Sequence, residues 1–286
     1  NAGQAAYGTV NMARAMTVSS DAYFYNLGFN IWYLGEDNPF RMAIQNQAGY
    51  LGFGQPTGIQ LPNEADGFVP SPVNNRRRYE NNPDAFSEDS KFYSYGANIN
   101  LAVGQGDMLS TPLQLVNSYS TFANGGTRWS PNLVDMIVPP GTTTFDPDEA
   151  ILDVKPRALA TLAMPSSVRD PMMEGLTGVI TQREGTASKV FTGFPLDRFP
   201  LAGKTGTAQV FVKVPSGKFL AKSVNDTSLF IAFEKAQRPF EPQYTIGVVM
   251  ERSGFGSQAA APVTRLLYEA LLTETCIPAE LEPAPP

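Results

Sequence analysis

From Val10 to Leu34 apolar residues recur at helical spacing, with Met12, Ala15 and Met16 in one stripe and Tyr23, Phe24 and Leu27 in a second. Ser19, Ser20 and Asp21 interrupt the pattern, so two helical segments joined by a polar break are expected. The run Ala48 to Gly58 is dense in glycine and reads as a turn or loop packed closely on its surroundings. Residues Pro70 to Phe92 are polar, charged and proline-containing, which predicts an exposed insertion. Ser110-Thr111-Pro112 offers hydroxyl caps and a first-turn proline ahead of an apolar-periodic run from Leu113 to Phe122. Gly125 and Gly126 then supply a C-terminal stop. A loop from Pro139 to Asp148 and a helix from about Asp170 to Thr181 follow.

The last third changes period. Gly206 to Val212, Ser228 to Glu234 and Tyr244 to Glu251 are short β-prone runs joined by polar or proline-rich turns, as in an antiparallel sheet. Ala259 to Leu272 reads as an apolar-rich closing helix, and the proline- and glutamate-rich tail, 275–286, as disordered. Helices first, strands last and a returning helix predict an α+β fold. The expected layout is a mainly helical region over 1–130, with a sheet and closing helix over 200–272, all within 1–274.

Composition narrows the chemistry. The 286 residues are 42% hydrophobic and 17% charged, with a net charge of -6, so no basic footprint for nucleic acid is present. The basic cluster Arg76-Arg77-Arg78 is followed by Glu80, Asp84, Glu88 and Asp89 and reads as a solvated loop. With no histidine, Ser-His-Asp triads, Cys-His dyads and HExxH zinc sites are excluded. The single cysteine, Cys276, excludes an intrachain disulfide and a cysteine-rich metal site. No cofactor is expected. No apolar run approaches the ~18 residues of a membrane helix. The chain opens at Asn1 without an initiator methionine and reads as a piece of something longer.

Two short motifs carry chemistry. Lys204-Thr205-Gly206-Thr207-Ala208 opens the first β-prone run. A lysine on a sheet edge offers a fixed positive charge to a carboxylate, and a neighbouring hydroxyl adds an oriented donor. The glycine lets a ligand backbone lie flat on the strand, and the next N–H can face a developing oxyanion. The second motif, Ser19-Ser20-Asp21, is in isolation equally a helix N-cap. Together and in this order, they match the second and third elements of the penicillin-binding protein and β-lactamase signature.

The surrounding sequence resembles the transpeptidase domain of class B penicillin-binding proteins over nearly the whole chain. The resemblance is carried by Ser19 to Tyr25, Leu51 to Pro62, Gly104-Gln105-Gly106 with Thr111 to Leu115, Gly185-Thr186-Ala187, the Lys204 motif and Ala260-Ala261-Pro262. The family's catalytic Ser-x-x-Lys is expected upstream of Ser19, and no such tetrapeptide occurs in the 286 residues. Thr186-Ala187-Ser188-Lys189 comes nearest, but it lies between the other two motifs and reads as structural. Asp21, where Asn is commoner, leans the resemblance toward elongation-type members.

What the resemblance implies is a D-Ala-D-Ala transpeptidase acting through a serine acyl-enzyme and inhibited by β-lactams. Ser19 would relay a proton, and Asp21 would hold the substrate amide. Lys204 and Thr205 would bind the terminal carboxylate, with Gly206 leaving room for the ligand. The Thr207 N–H would give half of an oxyanion hole. Expected partners are the peptidoglycan stem peptide on its lipid-linked precursor, β-lactam antibiotics, a membrane-embedded glycan polymerase and the N-terminal segment of the same protein. The expected location is the outer face of the cytoplasmic membrane. The resemblance also implies a five-stranded sheet of which this chain supplies three strands. A β-lactam sensor or β-lactamase of the same fold, and a non-catalytic scaffold, are the alternatives.

Overall fold

A computed structural model of the chain describes residues 6–142, 146–209, 211–213, 219–221, 226–235 and 244–272. The architecture is α+β, and the chain divides into two compact units, Asn1–Tyr23 with Ser166–Pro286, and Phe24–Pro165. The tail expected to be disordered lies outside the described residues.

The first elements follow the polar pattern closely. Helix α1 (Met12–Thr17) and helix α2 (Asp21–Trp32) are separated at Val18 to Ser20, where the break was expected. Phe24–Pro165 then holds α3 (Ala43–Tyr50), α4 (Pro72–Asn81), α5 (Tyr95–Leu101) and α6 (Pro112–Ala123). The short strands β1 (Thr127–Trp129), β2 (Met136–Ile137), β3 (Leu152–Asp153) and β4 (Ala158–Thr161) complete it, paired antiparallel as β1 with β4 and β2 with β3. These strands were not expected. Helix α6 starts as its sequence predicts: Thr111 and Gln114 form a reciprocal capping box with Pro112 in the first turn. It ends at Gly125 and Gly126, both at positive φ.

The segment Pro70 to Phe92 is mostly exposed, as expected, but it carries a capped helix with an anchored base. Ser71 Oγ caps α4 by accepting from Asn74 N at 3.0 Å, and Pro72 occupies the first turn. Ser71 and Asn75 are buried. Arg78 is not a solvated loop residue, because its guanidinium lies over the Phe68 and Phe86 rings and pairs with Asp107 at 2.9 Å.

In the other unit α1 packs on α7 (Ser166–Thr181), which begins one turn earlier than expected and carries Pro171 inside it. Two glycines permit the approach: a Cβ on Gly178 would lie 2.3 Å from Thr17 Oγ1, and one on Gly175 2.8 Å from Ala13 O. The sheet follows as β5 (Leu201–Ala208), β8 (Thr227–Glu234) and β9 (Thr245–Met250), in spatial order β5-β8-β9 and antiparallel. Between β5 and β8 in sequence, β6 (Phe211–Lys213) and β7 (Phe219–Ala221) form a separate hairpin. Strand β5 starts at Leu201, because Leu201, Ala202 and Gly203 sit in the core. Lys204 is therefore mid-strand, paired with Ile231, and does not open the strand.

Helix α8 (Ala260–Leu272) closes the unit against β8 and β9. Its Tyr268 is fully buried and donates to Ala232 O at 2.8 Å. Phe191, Phe194, Phe230, Val179 and Ile180 join it in one apolar cluster under the strand that carries Lys204.

Candidate active site

The polar break after α1 divides two jobs between adjacent serines. Ser20 is buried, and its Oγ accepts from Tyr23 N at 3.4 Å, capping α2. Ser19 is left for another partner. Its backbone takes φ 53°, a left-handed value that costs a non-glycine residue about 1 kcal/mol or more. That turn brings Ser19 Oγ to 2.7 Å from Lys204 Nζ, the donor, across 185 residues of sequence. The capping role thus falls on Ser20, while Ser19 is the residue that meets Lys204.

Lys204 Nζ also donates to Thr205 O at 2.9 Å. Burial pulls its pKa from 10.5 down to about 8, while the nearby charge of Asp21 pushes the other way. Lys204 is half-buried and lies on β5, the outer strand of the described three, so it stands at a sheet edge as expected. Asp21, in the first turn of α2, is the acid that acts on it.

Along β5 the remaining motif residues are held from two sides. Thr205 Oγ1 lies 2.7 Å from Thr186 Oγ1. Gly206 faces Leu229 across the strand pair. The turn before α8 covers the same stretch: a Cβ on Gly256 would lie 2.5 Å from Gly206 O and 2.3 Å from Leu229 O. Gly256 N donates to Thr207 Oγ1 at 3.4 Å. Ser19, Asp21, Lys204, Thr205, Gly206 and Thr207 accordingly gather within one unit.

The family model for the penicillin-binding protein transpeptidase domain matches residues 1–269. The chain belongs to this family. Among similar proteins, the peptidoglycan D,D-transpeptidase MrdA of Haemophilus influenzae is 27% identical over 273 residues, covering 94% of this chain and 37% of that protein. The protein of the same name from Acinetobacter baumannii is 31% identical over 263 residues, covering 89% of this chain and 33% of that protein. The chain thus spans less than two-fifths of the length of these curated relatives. Among solved structures, Pseudomonas aeruginosa PBP2 in complex with WCK 5153 aligns with a TM-score of 0.64 at 28% identity, over 97% of this chain and 52% of that one.

At this site two contact residues escaped the sequence analysis. Thr186 was read as structural, although Gly185-Thr186-Ala187 was noted as a family stretch. Gly256 carried no local signal, since its need for a bare Cα arises from β5 and β8. The Thr186-Ala187-Ser188-Lys189 tetrapeptide forms a tight loop in which Ser188 Oγ donates to Gly185 O at 2.9 Å.

Proposed function

We propose that this chain is the groove-bearing part of an elongation-type D,D-transpeptidase that cross-links peptidoglycan stem peptides. The observation that carries the reading is the 2.7 Å contact between Lys204 Nζ and Ser19 Oγ, which unites the two motifs. Relatives named peptidoglycan D,D-transpeptidase support it, and the name MrdA together with the Ser-x-Asp form of the motif supports the elongation type.

In this reading the attacking serine and its lysine come from sequence outside these 286 residues, as does a membrane anchor that places the domain on the outer face. The serine Oγ attacks the carbonyl between the two terminal D-alanines and displaces the last one. Ser19 passes a proton to the departing amine, helped by the Lys204 ammonium at its oxygen. Lys204 and the Thr205 hydroxyl hold the terminal carboxylate, and a mid-strand lysine drawn toward pKa 8 keeps a cation there at neutral pH. Asp21 holds the peptide amide, and Gly206 leaves the strand surface open. The Thr207 N–H faces the oxyanion, where losing one such donor typically costs about 10²–10³ in rate. A β-lactam enters as a mimic of the same terminus, and the glycan polymerase supplies the lipid-linked strand.

The test is the second-order acylation rate with a fluorescent penicillin, in the protein extended upstream through a Ser-x-x-Lys. Lys204→Ala should slow acylation by about one to two decades, the worth of a charge-assisted contact. The 286-residue chain alone should form no adduct. A persistent penicilloyl adduct is expected, and rapid hydrolysis would instead mark a β-lactamase. Equal rates for wild type and Lys204→Ala would remove the assignment.

A further inference from the structure

Thr186 lies outside both motifs, yet its hydroxyl reaches one of them and its backbone approaches the other. Oγ1 is 2.7 Å from Thr205 Oγ1. The Thr186 N–H donates to Thr17 O at 3.4 Å, two residues before Ser19. The loop around it is tightly tied. Gly185 N donates to Gln182 O at 2.7 Å, Ala187 N to Val179 O at 3.0 Å and Ser188 N to Gly185 O at 3.1 Å. A Cβ on Gly185 would lie 2.2 Å from Gly178 O, so the loop sits directly on the end of α7. Thr186 is therefore a fixed hydroxyl pressed against the strand.

A threonine hydroxyl has one proton and two lone pairs. In a facing pair either oxygen can donate, and the choice decides what Thr205 can do next. If Thr205 donates to Thr186, its only proton is committed inside the protein. If Thr186 donates, the Thr205 proton stays available, and accepting a hydrogen bond polarises that O–H into a better donor. An ionised carboxylate only accepts, so it requires the second arrangement.

We propose that Thr186 is a positioning residue for carboxylate recognition: it donates to Thr205 Oγ1 and so turns the Thr205 proton toward the ligand's terminal carboxylate. This rests on the reading of Lys204 and Thr205 as the carboxylate cradle. Thr186 acts through Thr205 and touches no reacting atom. Its backbone tie to Thr17 also keeps the hydroxyl in register with the turn that presents Ser19.

The experiment measures penicillin acylation in the upstream-extended protein for wild type, Thr186→Val, Thr186→Ser and Lys204→Ala, with a thermal melt of each. Thr186→Val keeps the shape and loses the hydroxyl, and should slow acylation about three- to tenfold, the range of a neutral hydrogen bond. Thr186→Ser should stay within about twofold of wild type, since the donor that acts is retained. With the penicillin's carboxyl group masked as a methyl ester, wild type and Thr186→Val should converge. Three results would overturn the proposal: a Val variant as fast as wild type, a Ser variant as slow as Val, or a Val penalty equally large with the ester. If Lys204→Ala also acylates normally, the cradle reading falls first. If only Thr186→Val behaves as wild type, the cradle stands and this inference alone fails.

Discussion

The two units are held together by different means. In the unit that carries the sheet, the buried side chains are mostly apolar: Phe230 and Phe233 on β8, Phe191 and Phe194 before β5, and Tyr268 on α8. In Phe24–Pro165 the described buried positions are mostly polar, among them Gln45, Asn75, Asn98, Gln114 and Thr121. Most of their polar atoms are paired, although Gln45 Oε1 is buried without a hydrogen-bond partner. Asn98 donates to Gly28 O at 2.7 Å and accepts from Tyr93 Oη at 2.9 Å and Gln45 Nε2 at 3.2 Å. Gln114 donates to Gln55 O and Asp66 O, both at 2.8 Å. Glu64 accepts from Thr57 N at 2.8 Å and from Thr57 Oγ1, closing the glycine-rich loop. An apolar core is non-directional and tolerates repacking, whereas a polar network specifies one arrangement and fails when one member is lost. The motif strand rests on the first kind of support.

The largest effect that would test this difference is at Phe230. Its ring is fully buried and lies 5.8 Å from that of Phe191. Phe230→Ala should cost about 3–5 kcal/mol, while Phe230→Leu should recover more than half of that. Urea denaturation of the three proteins measures it. A Leu variant as poor as Ala would mean that this core is as exacting as a polar network.

How far the sequence foretold this arrangement depended on whether a residue's partner was local. Thr111-Pro112 announced α6, yet the same hydroxyl–proline start at Ser71-Pro72 was overridden by the charged composition around it. Composition had no access to the Phe68 and Phe86 rings under Arg78. Strand β5 was expected five residues late, because Leu201, Ala202 and Gly203 carry no β-prone signal and become strand only by packing into the core. At the site, the motifs named Ser19, Lys204 and their neighbours. Thr186 and Gly256 depended on contacts 19 and 49 residues away, which no local pattern encodes.

Asn98 is the second point at which to press the comparison. Asn98→Leu keeps the volume and adds apolar surface, but strands Gly28 O and leaves Gln45 Nε2 with Tyr93 Oη alone. Burial pushes the Tyr93 pKa well up, so its hydroxyl keeps its proton and would also lose its acceptor. Leaving such groups unpaired costs about 1–3 kcal/mol each, so a total of about 2–4 kcal/mol is expected after partial relaxation. Asn98→Ala should be no worse than Leu. A Leu variant clearly more stable than Ala would show that burial governs this unit too, and the contrast between the units would collapse.

Lys204 is where the apolar unit departs from its own rule, and the departure has a pH signature. Its folded pKa, about 8, lies below the value of 10.5 for the free side chain. Between those values the unfolded chain holds a proton that the folded protein does not, so stability rises with pH across that window. Below pH 8 the full penalty is present, on the order of 3 kcal/mol for such a depression. Lys204→Met removes the charge at similar length, but it also removes the bonds to Ser19 Oγ and Thr205 O, worth about 1 kcal/mol each. The net gain at pH 6–7 should therefore be small, on the order of 1 kcal/mol. It should shrink as pH passes 8 and reverse toward 10.5, where the folded lysine is neutral, its penalty is largely gone and its hydrogen bonds remain. Melting temperatures of both proteins from pH 6 to 10.5 measure the difference directly. A constant difference across that range would mean the ammonium is not held at a cost, and a Met variant less stable at pH 6 would mean the two hydrogen bonds outweigh it. The expected reversal would place a strained charge at the contact between Ser19 and Lys204, where binding a carboxylate would relieve it.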